Sequence, residues 1–100
     1  MQEIEFKVPK DFDPGRAGQL IESVCAAHGL DIGMKAGLAG LPGSTHWHYK
    51  KGREKGTLEL TVFPRQRRIW AQVQNGRKAP WIDGILPKIR RDVERALRRA

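Results

Sequence analysis

One hundred residues, 39% hydrophobic and 30% charged, give room for one hydrophobic core and exclude a large buried catalytic cleft. No apolar run approaches the ~20 residues that span a bilayer, and the start "MQEIEFKV" carries acids where a secretory signal carries bases. The expectation is therefore a cytoplasmic chain with no membrane insertion. The single cysteine, Cys25, rules out an internal disulfide and a multi-cysteine zinc site, and reads as a small buried residue.

The net charge of +8 is unevenly spread. Residues 1–30 hold 3 basic and 5 acidic side chains, residues 31–63 hold 5 and 3, and residues 64–100 hold 11 and 3. A basic last third points either to a polyanion partner or to a solvated Arg-rich face.

"EIEFKV" alternates Ile4, Phe6 and Val8 with charged residues, the period of a half-buried strand that Pro9 ends. Asp13 can cap a helix with Pro14 at its first position. Ala17, Leu20, Ile21, Val24 and Ala27 or His28 then recur at helical spacing until Gly29. Ile32, Met34, Ala36 and Leu38 alternate as the inward residues of a second strand, leaving Gly33, Lys35 and Gly37 outward. Pro42-Gly43 suits the centre of a type II turn. "THWHYKK", "TLELTVF" and "RIWAQVQ" follow as three strands, separated by the turns "GREKG" and "PRQR". After Asn75-Gly76 a last helix begins near Pro80, with Ile82, Ile85 or Leu86, Ile89, Val93, Ala96 and Leu97 as its apolar stripe and a kink or restart expected at Pro87. Asp92 and Glu94 are spaced to pair with Arg95 and Arg98. Trp81 is expected to anchor this helix, with its indole N–H reaching the surface.

The order β-α-β-β-β-β-α predicts an α+β domain with a five-stranded, mainly antiparallel sheet, two helices on one face and the other face open. This order resembles the topology of TATA-box-binding-protein-like domains. The resemblance covers nearly the whole chain, rests on element order without a shared motif, and implies architecture more than activity. The α-β-β-β-α portion is also similar to double-stranded-RNA-binding domains, but "APWIDGILPK" lacks their lysine-rich helix start.

Apolar residues must share a face, so Trp47 should pair with Leu60 and Tyr49 with Leu58, beside Ile69, Ala71 and Val73. His46 then lies opposite Thr61, which lies opposite Trp70, and His48 lies opposite Glu59, which lies opposite Gln72. The open face collects Lys35, His46, His48, Lys50, Glu59, Thr61, Phe63, Arg68, Trp70 and Gln72. Of these, Lys35, His46, His48, Lys50, Arg68, Trp70 and Gln72 are the expected binding residues, with Lys51, Arg53, Lys55, Arg65, Arg67, Arg77 and Lys78 as a basic rim. Trp70 and Phe63 would offer stacking faces to bases and the cations would meet phosphates. On this register Trp70→Ala should barely affect the fold, whereas Trp47→Ala should cost about 3–5 kcal/mol.

The expectation is a non-enzymatic nucleic-acid-binding module without a cofactor. A protein-interaction or homo-oligomerisation module using Trp70, Phe63 and an exposed strand edge is the alternative. His46, His48 and Glu59 have a spacing that could hold a metal or run acid/base chemistry, and form the lesser reading because no Glu-x-x-His or second histidine cluster completes the set. No glycine-flanked serine elbow and no phosphate-loop motif is present.

Overall fold

A computed structural model describes residues 2–99. Strands β1 (Gln2–Glu5), β2 (Asp31–Leu38), β3 (Leu41–Lys50), β4 (Leu58–Phe63) and β5 (Arg68–Val73) accompany helices α1 (Pro14–Ala27) and α2 (Pro80–Arg99). The sheet is antiparallel throughout, in the order β1-β5-β4-β3-β2. The first strand thus returns to the last, and β4 takes the centre with all six residues buried.

Local signals set the helix boundaries. The Asp13 carboxylate accepts from the Gly15 and Arg16 amides at the N-terminus of α1, satisfying donors that the helix itself cannot. Gly29, at φ 79°, lets the chain leave after Ala27. In α2, Trp81, Ile82, Leu86, Ile89, Val93 and Leu97 are buried, and the helix is continuous through Pro87 and does not restart there. Among the described residues, no helix is long and apolar enough to cross a membrane.

Both helices share one core with a single sheet face: Ala17, Ile21 and Cys25 from α1 and the α2 stripe meet Trp47, Tyr49, Leu58, Leu60, Val62, Ile69, Ala71 and Val73. Trp81 anchors α2 in this core. Its indole N–H donates to the Lys55 carbonyl at 2.7 Å in a part-buried contact, which ties the β3–β4 loop to the helix start. Asp92 and Glu94 also find other partners than Arg95 and Arg98. Asp92 pairs with His28 and Arg91, and Glu94 with Arg90 and the Lys7 amide, so the acids of α2 staple its neighbours.

The β3-β4-β5 register agrees with the sequence reading, with Trp47 opposite Leu60, Thr61 between His46 and Trp70, and Glu59 between His48 and Gln72. The expectation fails at β2. Met34 pairs with His48 and Ala36 with His46, so these apolar residues face outward, whereas Lys35 pairs with Trp47 and lies on the helix-bearing side. There its ammonium meets Glu22 of α1 at 2.6 Å and sits 5.9 Å from the Trp47 ring centroid. An ion pair to the helix and a cation over the indole fix the face that apolar alternation alone misassigned. The turn also moves. Ala39-Gly40 connects β2 to β3, and Pro42-Gly43 lies inside β3, where Gly43 takes φ 82° opposite a register shift between Ala36 and Leu38.

Candidate functional site

Side chains on the face without helices form a packed layer of their own. Trp70 is only 6% exposed and Phe63 5%, although neither belongs to the core under the helices. Arg68 explains much of this: its guanidinium lies 4.4 Å above the Trp70 ring and is held there by Glu5, which accepts from Arg68 Nε at 3.2 Å and from a terminal nitrogen at 2.7 Å. Glu5 is the residue of β1 that pairs with Trp70, so the first strand supplies the clamp. Hydrogen bonding to Glu5 raises the Arg68 pKa further. The face is therefore free of helices, but Trp70 is not an exposed stacking platform. Its burial corrects the expectation that Trp70→Ala would leave the fold intact.

Beside Trp70 runs a chain of polar contacts. The Trp70 indole donates to Gln72 Oε1 at 3.1 Å, and Gln72 Nε2 donates to Glu59 Oε1 at 3.2 Å. His46 Nε2 lies 3.1 Å and His48 Nε2 3.5 Å from the same carboxylate oxygen. On its other side His46 Nδ1 meets Thr61 Oγ1 at 2.7 Å, and the two imidazoles stand edge to face with centroids 5.0 Å apart. Glu59 is 3% exposed and His46 4%. Burial lowers the His46 pKa against the pull of Glu59, with His48 adding to the lowering. The second carboxylate oxygen, Glu59 Oε2, is buried without a hydrogen-bond partner among the described residues, and the Arg77 guanidinium stops 3.7 Å from it.

His48 connects this network to a groove of ≈ 640 Å³, lined also by Met34, Lys50, Lys55, Thr57 and Arg77 and edged by Gly33, Gly56 and Gly76. Local backbone bonds build it. The Thr57 amide donates to the Arg77 carbonyl at 3.0 Å, drawing the β3–β4 loop against the segment before α2. Lys50 Nζ donates to Thr57 Oγ1 at 3.1 Å. Gly56 sits at φ 105°, where a Cβ would lie 2.5 Å from that of Ala79 and 3.2 Å from the Arg77 carbonyl, so only glycine permits this approach.

The expected binding residues are thus divided. His48 and Lys50 reach the groove; His46 and Trp70 are buried beside it and Gln72 is half-buried; Arg68 is engaged by Glu5; Lys35 belongs to the other face. Lys55 and Arg77, expected only as rim, join the groove wall itself. Gly56 and Thr57 were missed, and the available signal was a loop bounded by two glycines, "GREKG". Comparison of the chain with protein-family models, with curated proteins and with solved structures gives no match.

Proposed function

We propose that this domain is a non-enzymatic binding module that takes phosphate-bearing partners, above all single-stranded or structured nucleic acid, in the groove beside His48. One observation carries the reading: Lys50, Lys55 and Arg77 gather on one glycine-edged groove whose remaining wall is His48, Thr57 and the exposed Met34. Lysine and arginine meet phosphate oxygens, glycines let a backbone approach closely, and an imidazole beside a polarisable thioether offers a surface to a base. Lys51, Arg53 and Lys78 extend the positive field around it. The TATA-box-binding-protein-like order of elements and a cytoplasmic setting fit the same reading.

Fluorescence anisotropy of a labelled mixed-sequence oligonucleotide, titrated at several salt concentrations, tests it. Three phosphate contacts should give a slope of log affinity against log salt of about −2, and Lys55→Ala or Arg77→Ala should each make it shallower by about 0.7. Binding that is absent at low salt, or unmoved by both substitutions, would reject the proposal.

A second reading has its own observation. β2 is an eight-residue sheet edge, and Ile32 and Met34 on it are exposed. An unpaired edge with apolar side chains can add a strand from another chain, including a second copy. Sedimentation equilibrium separates the two readings, because self-association through β2 would persist in high salt and weaken in Ile32→Lys.

A further inference from the structure

We propose that His46, His48 and Glu59 form a binding site for one divalent transition-metal ion, zinc being the ion whose preferences they fit best, with its open coordination position facing the Lys50–Lys55–Arg77 groove. The inference stands independently of the nucleic-acid reading.

Donor type and spacing carry the first part. Two imidazoles and one carboxylate are a donor set that zinc takes readily, leaving a fourth tetrahedral position for water or an anion. Bonds of about 2.0–2.1 Å in a tetrahedron place neighbouring donors about 3.3 Å apart. His46 Nε2 and His48 Nε2 lie 3.1 and 3.5 Å from Glu59 Oε1, and ligand atoms of all three residues fall within 4.8 Å of one another. The spacing follows from the fold. A His-x-His pair on β3 projects both rings to one face, and Glu59 is the direct cross-strand partner of His48.

The second part is independent of that spacing. Glu59 Oε2 is a buried carboxylate oxygen with no hydrogen-bond partner among the described residues. Leaving such a group unsatisfied is costly, and Arg77 at 3.7 Å is too far to donate to it well. A cation bound through both oxygens of the carboxylate would give Oε2 a partner while Oε1 stays in reach of the two rings.

The surroundings match what a metal needs from its neighbours. Thr61 Oγ1, 2.7 Å from His46 Nδ1, can accept an N–H from that nitrogen and so free Nε2 for the ion, while Gln72 steadies the carboxylate. Lys50, Lys55 and Arg77 would favour a hydroxide or phosphate oxygen at the open position.

The test is zinc titration of the full chain without an affinity tag, by calorimetry, with imidazole nitrogen shifts followed by NMR. Cobalt(II) replacing zinc reports coordination through its visible spectrum. The expected result is one ion per chain, shifts at His46 and His48 Nε2, and tetrahedral cobalt bands. His48→Gln, at a half-buried position that should still fold, should weaken binding at least 100-fold, and Thr61→Val 10- to 100-fold. His28→Gln, on the far side beside Asp92, should leave binding unchanged. Because Glu59 is buried, Glu59→Gln is read only after its NMR spectrum establishes a native fold, and should also weaken binding at least 100-fold. No uptake at millimolar zinc, or uptake that His48→Gln leaves intact, would overturn the proposal.

Discussion

Trp70 lies on a face that no helix covers, yet Arg68, Gln72, Thr61 and Glu5 surround it, so its large ring stabilises the sheet from the outside. Trp70→Ala should therefore cost about 3 kcal/mol in urea denaturation, close to the loss for Trp47→Ala. A loss under 1 kcal/mol would mean that the Arg68–Glu5 clamp does not persist in solution. On the helix side, Glu22 accepts from the Trp47 indole at 2.9 Å and pairs with Lys35. The Lys35 contact first, and the indole second, lower its pKa below the ordinary 4.5. The native state thus binds fewer protons than the unfolded chain in the window below about pH 4.5. Its contribution is present above that pH and is lost as pH falls through the depressed folded value. Glu22→Gln keeps an acceptor for the indole but no charge, so the stability gap between wild type and this variant should close on acidification below pH 4.5. A gap that stays constant with pH would show that the ionised carboxylate is not what matters. Cys25 gives a simpler check: burial pushes its thiol up to about 12, so thiol reagents should label it at the rate of unfolding.

At the scale of elements, the most constrained junction joins the β3–β4 loop to the start of α2. Gly56 has a positive φ and no room for a Cβ, whereas nothing lies within 4 Å of a Cβ added at Gly76 across the groove. Gly56→Ala should cost about 2 kcal/mol or more, and Gly76→Ala less than about 0.5 kcal/mol, as read from denaturation midpoints. Equal losses would mean that the loop relaxes away from Ala79. The elements also show where sequence is a sufficient guide. β3, β4 and β5 could be registered because bulky apolar residues sit on one side of all three, and a one-residue slip would bury polar side chains beneath the helices. In β2 the apolar alternation was clear but its direction was not, since Met34 and Ala36 are exposed and a lysine fills the helix side. Only the tertiary partner Glu22 decides that. Trp70 misled for a related reason: its cover comes from β1, whose place in the sheet cannot be read from chain order. His46, His48 and Glu59 were legible as neighbours because cross-strand pairing alone brings them together. The groove depends on loop contacts between Thr57 and Arg77 that no periodicity encodes.

For the whole molecule the question is whether its net charge of +8 or its groove governs binding to polyanions. The densest basic run is in α2, on the side of the sheet away from His48, and its cations are partly engaged: Arg90 meets Glu94, and Arg91 meets Asp92. Arg98 faces a separate hollow beside Pro9, Phe12 and Arg16. Charges separated by more than about 8–10 Å are largely screened at physiological salt, so the end of α2 should add to long-range attraction without holding a ligand in the groove. Two double variants with the same change in net charge separate these contributions. Arg95→Gln with Arg98→Gln removes two positive charges from α2, and Lys55→Gln with Arg77→Gln removes two from the groove. If the groove holds the phosphates, the α2 pair should slow association modestly at low salt and leave affinity at physiological salt nearly unchanged. The groove pair should lower affinity at least 10-fold and flatten the salt dependence by about 1.4. Equal losses from the two pairs would make the attraction a property of total charge, and the groove would then have no special claim on the ligand.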